Sequence, residues 1–181
     1  MDKKRAVFID RDGVVVNPIF RKEFKLPSAP FFFAELSFFA GIKEALDLFK
    51  EMGFLRILVT NQPDVGYGHI SEEEWSRIQR KVEEFYFDDV FICRHTRDID
   101  CVCKKPKPGM LFEAAKKWDI DFCKSYMVGD TDKDMNAGRV AGCKTILIKA
   151  YYNVEVKGNF TTSSLLDAAR LIERIEKGGK K

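Results

Sequence analysis

The stretch Arg5-Ala6-Val7-Phe8-Ile9-Asp10-Arg11-Asp12-Gly13 decides how the rest of the chain is read. Five residues of mostly apolar, β-prone character end abruptly on two acids and a glycine. This pattern predicts a buried strand over 5–9 that delivers carboxylates to the edge of a sheet. Asp10 and Asp12 are two positions apart, so on an extended chain they point to the same side. Gly13 lets the backbone turn beside them. An Asp-x-Asp-Gly turn of merely solvated acids would look the same in isolation.

Working outward, short apolar runs alternate with helical periods. Strands are predicted at Leu55–Thr60, Val90–Cys93, Ser125–Val128 and Lys144–Lys149. Helices are predicted from Ile42 to a stop at Gly53, from the Ser71-Glu72-Glu73-Glu74 capping box to about Phe85, over Pro108–Trp118, over Asp134–Ala141, and along Leu165 to Ile175. Residues 14–40, broken by Pro18, Pro27 and Pro30, read as irregular. The alternation predicts an α/β fold, three-layer and Rossmann-like, around a parallel sheet of about five strands. Ligands of such sheets bind at the carboxyl ends of the strands.

The residues at those ends share a theme. Thr60, Asn61 and Gln62 place a hydroxyl and two amides after the second predicted strand. Lys104-Lys105-Pro106-Lys107-Pro108-Gly109 precedes a helix and can aim a fixed positive charge back at the edge. Gly129-Asp130-Thr131-Asp132-Lys133-Asp134 follows a strand, and Gly-Asp there suits a hard cation such as Mg²⁺.

A second constellation lies at 93–103. Cys93-Arg94-His95 and Cys101-Val102-Cys103 put three thiols and an imidazole within eleven residues. That donor set matches a closed tetrahedral Zn²⁺ site with no coordination position left for water, hence a structural one. It would pin the loop that carries Lys104 and Lys105. The other two cysteines, Cys123 and Cys143, are expected to be small core residues.

Composition narrows the function classes. The chain has 181 residues, fitting one domain over 1–181, with 45% hydrophobic and 33% charged residues. The net charge of +3 sits in the ends: residues 2–5 carry +2, and Lys177, Lys180 and Lys181 carry +3, leaving the body near −2. A basic nucleic-acid groove is therefore not expected. Five of the sixteen Phe fall in 31–39, yet the longest uncharged run there, Leu26–Ala34, is nine residues against about 20 for a membrane span. This run is expected either to pack a strand-to-helix connection or to line an apolar wall of the site. No export signal is visible and the cysteine count is odd, so a reducing cytoplasm is the expected compartment. His69, Trp75 and Trp118 are expected to be surface or packing residues. Arg21, Lys22 and Lys25 read either as solvated or as a grip for a second anionic group.

Taken in order, Asp10-x-Asp12, Thr60, Lys105 and Gly129-Asp130-x-x-x-Asp134 resemble the four motifs of the haloacid-dehalogenase (HAD) superfamily of phosphatases. With Cys-x-His, Cys-x-Cys and Lys105-Pro106-Lys107-Pro108-Gly109-Met110, the chain is similar to the D-glycero-D-manno-heptose 1,7-bisphosphate phosphatases and the related histidinol-phosphate phosphatases, which lack a cap domain. The resemblance implies a Mg²⁺-dependent phosphomonoesterase acting on a small-molecule phosphate ester. Asp10 would be the nucleophile and Asp12 the acid–base. Asp10, Asp12 (through its carbonyl) and Asp130 would hold Mg²⁺. Thr60 and Lys105 would contact the transferring oxygens, with Asn61, Gln62 and Lys104 at the substrate and Asp134 in support. A monomer or weak oligomer is expected. Two departures stand out: Lys104 replaces the usual Arg, and Gly66-Tyr67-Gly68 replaces Ala-Arg-Gly. A nucleic-acid 3′-phosphatase and a non-catalytic zinc-stapled interaction module are the competing readings.

Overall fold

The computed structural model describes residues 3–178; Asp2, Lys180 and Lys181, which carry part of the terminal charge, lie outside that range. β1 (Arg5–Ile9), β4 (Phe54–Asn61), β5 (Asp89–Cys93), β6 (Tyr126–Gly129), β7 (Lys144–Ile148) and β8 (Phe160–Thr162) form one sheet. Between β1 and β4 a small ribbon, β2 (Ile19–Arg21) against β3 (Leu26–Ser28), pairs antiparallel. The helices are α1 (Ile42–Glu51), α2 (Glu72–Glu83), α3 (Gly109–Trp118), α4 (Asp132–Ala141) and α5 (Leu165–Gly178). The sheet order is β5-β4-β1-β6-β7-β8, with every pair parallel.

The sheet thus has six strands rather than the expected five. The sixth, β8, is three residues at the edge beside β7, too short to show a period. Residues 14–40 also differ from expectation. They hold the β2–β3 ribbon, and Val14, Val15 and Val16 are core residues.

Alternation along β1 divides the interior. Val7 and Ile9 join Leu58, Val128 and Ile146 under α1 and α5, while Ala6 and Phe8 join Ile57, Val59 and Met127 under α3. Both faces are buried, as a parallel sheet requires. Four of the five Phe in the Phe-rich run pack, while Phe32 is exposed. Phe31 is buried with Ile70 and Ile78, Phe33 joins that cluster, and Phe38 and Phe39 lie against the main core. Trp75 packs in the third cluster and Trp118 against the second. Cys143 is buried, but Cys123 is exposed, contrary to expectation. It sits in a 3₁₀ turn, Phe122–Lys124, capped by Asp121, whose Oδ1 accepts its N–H at 3.0 Å. The capping box at Ser71 is only half made. Ser71 caps the Glu74 N–H, whereas the Glu74 carboxylate accepts from Phe33 N at 2.5 Å, tying α2 to the Phe-rich segment.

β1 is central, and the chain leaves it for β4 on one side and later for β6 on the other. This is the switch point of a doubly wound sheet, where a crevice opens beyond the carboxyl ends.

Candidate active site

Three adjacent strands end at that crevice. Asp10 follows β1, Thr60 and Asn61 close β4, and Asp130 follows β6. Asp10 N donates to Val128 O at 3.0 Å, fixing the end of β1 against β6. Lys105 arrives from the loop between β5 and α3. Its Nζ donates to Asp10 Oδ1 at 2.7 Å and to Val59 O at 2.8 Å, and lies 2.6 Å from Asp134 Oδ1. Asp134 belongs to the first turn of α4, and its Oδ2 accepts from Thr131 N at 3.0 Å and from Thr131 Oγ1 at 2.5 Å. Gly129 makes this approach possible, since a Cβ there would lie 2.2 Å from Asp134 Cβ.

Asp10, Asp130 and Asp134 are all buried, with carboxylate oxygens within 4.8 Å of one another. Among the described residues Lys105 is the cation paired with them, one positive charge against three carboxylates. Burial and the neighbouring Asp134 charge push Asp10 up to about 7, against the pull of Lys105. Burial and the charges of Asp10 and Asp134 push Asp130 up as well. Lys105 itself is raised, because these carboxylates outweigh its desolvation. Asp130 Oδ1 is buried and has no hydrogen-bond partner among the described residues. An oxygen-only, doubly negative, incompletely satisfied pocket fits a hard dication such as Mg²⁺.

Asp12 lies beside this group with both oxygens engaged. Oδ2 accepts from Gln62 Nε2 at 2.6 Å and from Arg11 Nε at 3.1 Å, and Oδ1 accepts from Arg11 at 3.1 Å. Arg11 is almost fully buried and also donates to Gln79 Oε1 on α2. Sequence reasoning passed over Arg11, the variable position of Asp-x-Asp. Gln62 Nε2 also donates to Thr60 Oγ1 at 2.9 Å. The Asn61 amide spans the main chain of Lys105: Nδ2 donates to its carbonyl at 3.0 Å and Oδ1 accepts its N–H at 3.1 Å. Both amides expected at the substrate are therefore occupied within the protein. Lys104 is half-buried next to them.

Two further residues carry no signal in the sequence. Tyr152 donates its hydroxyl to Asp130 Oδ2 at 2.5 Å, and Asn153 Nδ2 donates to Asp130 O at 2.7 Å. They follow β7, and only their place near the same sheet edge hinted at them.

The 93–103 loop gathers its four donors as expected. Cys93 Sγ lies 3.8 Å from Cys101 Sγ and 3.2 Å from Cys103 Sγ, and His95 Nδ1 lies 3.6 Å and 3.2 Å from Cys93 and Cys103. A tetrahedron with Zn–S near about 2.3 Å has corners about 3.8 Å apart; the four donors stand at that spacing or somewhat inside it, close enough together to share one ion. Burial opposes ionisation of Cys101, yet the Lys104 N–H and its three cluster neighbours bring it down to about 7. Burial and the other two cysteines push Cys103 up to about 12. Gln62 N donates to Cys93 O at 2.7 Å, joining this cluster to the end of β4.

The other residues noted in sequence serve the surroundings. Arg21 pairs with Glu35 at 2.5 Å and lies over Phe31, so it is not free to grip an anion. His69 is exposed, pairs with Asp64 at 3.1 Å and stacks among Phe24, Phe31 and Tyr67. No helix among the described residues is long and apolar enough to cross a membrane.

A parallel sheet with carboxylates after β1 and β6, a hydroxyl at the end of β4 and a buried Lys from the loop after β5 defines a HAD-like hydrolase, and the HAD-hydrolase-like family model matches residues 102–150. A D-glycero-beta-D-manno-heptose-1,7-bisphosphate 7-phosphatase of Pasteurella multocida is 34% identical over 96% of this chain and 99% of its own length. The enzyme of that name from Vibrio cholerae is 33% identical over 92% and 93%. The crystal structure of D,D-heptose 1.7-bisphosphate phosphatase from B. bronchiseptica, complexed with magnesium and phosphate, shares the fold at TM-score 0.79 and 23% identity, covering 94% of this chain and 99% of that one. The chain belongs to the heptose-1,7-bisphosphate 7-phosphatase family of HAD hydrolases.

Proposed function

We propose that this protein is a Mg²⁺-dependent phosphomonoesterase that removes one phosphate from a sugar bisphosphate, with heptose 1,7-bisphosphate the leading substrate. The observation that carries this is the convergence of Asp10, Asp130, Asp134 and Lys105 at the ends of β1 and β6. The names of its relatives supply the substrate.

Asp10 attacks phosphorus, forming an aspartyl-phosphate as the ester P–O bond breaks, and Asp12, which takes up a proton as one oxygen turns from Arg11 or Gln62 to the bound substrate, gives that proton to the leaving oxygen. Asp12 then takes a proton from water, whose oxygen attacks phosphorus. The Asp10–phosphoryl bond breaks and inorganic phosphate leaves. Lys105 and Thr60 sit where the transferring oxygens gain negative charge. Asp10, the Asp12 carbonyl and Asp130 would hold the Mg²⁺, which offsets repulsion between the anionic nucleophile and phosphate. The magnesium and phosphate in the B. bronchiseptica structure support Mg²⁺ as the ion. Arg11 and Gln62 hold the Asp12 carboxylate, and Asn61 holds the Lys105 main chain. Asn61 and Gln62 thus act by positioning rather than by touching substrate, while Lys104 is left as the substrate contact. Cys93, His95, Cys101 and Cys103 bind a structural Zn²⁺ that fixes the loop ending in Lys105. Residues 1–181 act as one unit in a reducing cytoplasm.

Phosphate release in the presence of Mg²⁺ from heptose 1,7-bisphosphate, histidinol phosphate and nucleoside monophosphates tests the reading. The expected result is the highest kcat/KM on the heptose bisphosphate. Turnover confined to another ester would replace the substrate. No turnover on any of them would favour the zinc-stapled interaction module.

A further inference from the structure

The segment between β7 and β8 folds back over Asp130. Asn153, itself buried, fastens it: Nδ2 donates to Asp130 O at 2.7 Å and Ile148 O at 2.9 Å, while Oδ1 accepts from Ala150 N at 2.8 Å. Tyr152, adjacent in the chain, is thereby carried to Asp130, and its hydroxyl donates to Oδ2 at 2.5 Å. The two meet in the space left by Gly13, where a Cβ would lie 2.0 Å from Asp130 Oδ2 and 2.9 Å from Tyr152 Oη. The other oxygen, Oδ1, is buried and has no hydrogen-bond partner among the described residues.

We propose that Tyr152 is a positioning residue that confines Asp130 to one-oxygen ligation and so sets the preference of the site for Mg²⁺ over Ca²⁺. The inference rests on the reading of Asp130 as a metal ligand. Mg²⁺ demands near-octahedral geometry at about 2.1 Å. Ca²⁺ takes more oxygens at about 2.3–2.6 Å, often both from one carboxylate. With Oδ2 held by the phenol, Asp130 presents a single oxygen. Two-oxygen ligation would break the Tyr152 hydrogen bond and swing the carboxylate within the narrow space beside Gly13. The selectivity thus comes from a hydrogen bond outside the ligand set, as such bonds commonly orient ligating groups.

The test is calorimetric titration of the full-length protein, dialysed free of Mg²⁺ and Ca²⁺ with its zinc retained, with MgCl₂ or CaCl₂ alone, for wild type, Tyr152→Phe and Asp130→Asn. Phe keeps the ring and its edge contact with Tyr151 at 5.1 Å, so the loop retains its packing. In Tyr152→Phe, Mg²⁺ is expected to bind roughly tenfold more weakly, with Ca²⁺ unchanged or tighter, so that the ratio of the two affinities falls. An unchanged ratio, whether both ions weaken equally or neither does, overturns the proposal. Asp130→Asn is expected to lose Mg²⁺ binding. If it binds Mg²⁺ like wild type, the underlying metal-site reading fails instead.

Discussion

Lys105 Nζ lies 2.7 Å from Asp10 Oδ1 although 95 residues separate the two in sequence, and both side chains are buried. With Asp134 on its other side, the ammonium bridges two carboxylates that would otherwise repel each other across the site.

Replacing Lys105 by Met should therefore act twice. It removes the positive charge from the transferring oxygens, lowering kcat by about 10²–10³. It also leaves two buried carboxylates without their cation, costing about 3–5 kcal/mol at neutral pH. Denaturant unfolding and phosphate-release assays measure the two effects. Wild-type stability and turnover together would contradict the arrangement.

The raised Asp10 gives a sign to the pH dependence of the Mg²⁺-free protein. Its folded-state pKa of about 7 lies above the ordinary 3.8, so the folded state binds protons more tightly than the unfolded chain between those values. Stability from this group is fully present below the ordinary value and is lost as pH rises toward 7. The protein dialysed free of Mg²⁺, with its zinc retained, should melt at a lower temperature at pH 8 than at pH 5, and Mg²⁺ should remove most of that difference. A Mg²⁺-free melting temperature that rises over this range would contradict the assignment.

The Zn²⁺ proposed for the Cys/His cluster predicts a stoichiometry. Metal analysis of the purified protein should find about one Zn per chain, and Cys101→Ser should lower both zinc content and melting temperature. It should also reduce activity, since Cys103 lies two residues before Lys105. A zinc-free native protein of unchanged stability would remove the cluster from the account.

Gly13 is a backbone prediction. Its φ is +87°, and a Cβ there would lie 2.0 Å from Asp130 Oδ2. Gly13→Ala should cost about 1–3 kcal/mol of stability through strain and weaken Mg²⁺ binding. Wild-type Mg²⁺ affinity in this variant, measured by calorimetry, would show that the crowding is relieved elsewhere.

The legible parts of this molecule are those with strong local patterns. β1, β4 and β6 are apolar runs ending in polar residues, so both the strands and the positions of Asp10, Thr60 and Asp130 followed from them. β8 did not, because Phe160-Thr161-Thr162 is too short to carry a period. The β2–β3 ribbon was hidden by Pro27, which a two-stranded edge tolerates and a central strand would not. Contacts made by long-range folding were the least visible. Asn61 and Gln62 looked like free amides at a site mouth, yet their partners, the Lys105 main chain and Asp12, become neighbours only when the sheet assembles. Tyr152 and Asn153 meet Asp130 in the same way, from a loop with no motif.

The central claim is that Asp10 receives the phosphoryl group. The most direct measurement is the rate of phosphate release from a generic aryl phosphate with saturating Mg²⁺, comparing wild type with a folded Asp10→Asn. The account predicts a loss on the order of 10⁴ or more, as for removal of a nucleophile. Turnover by Asp10→Asn at the wild-type rate would contradict it.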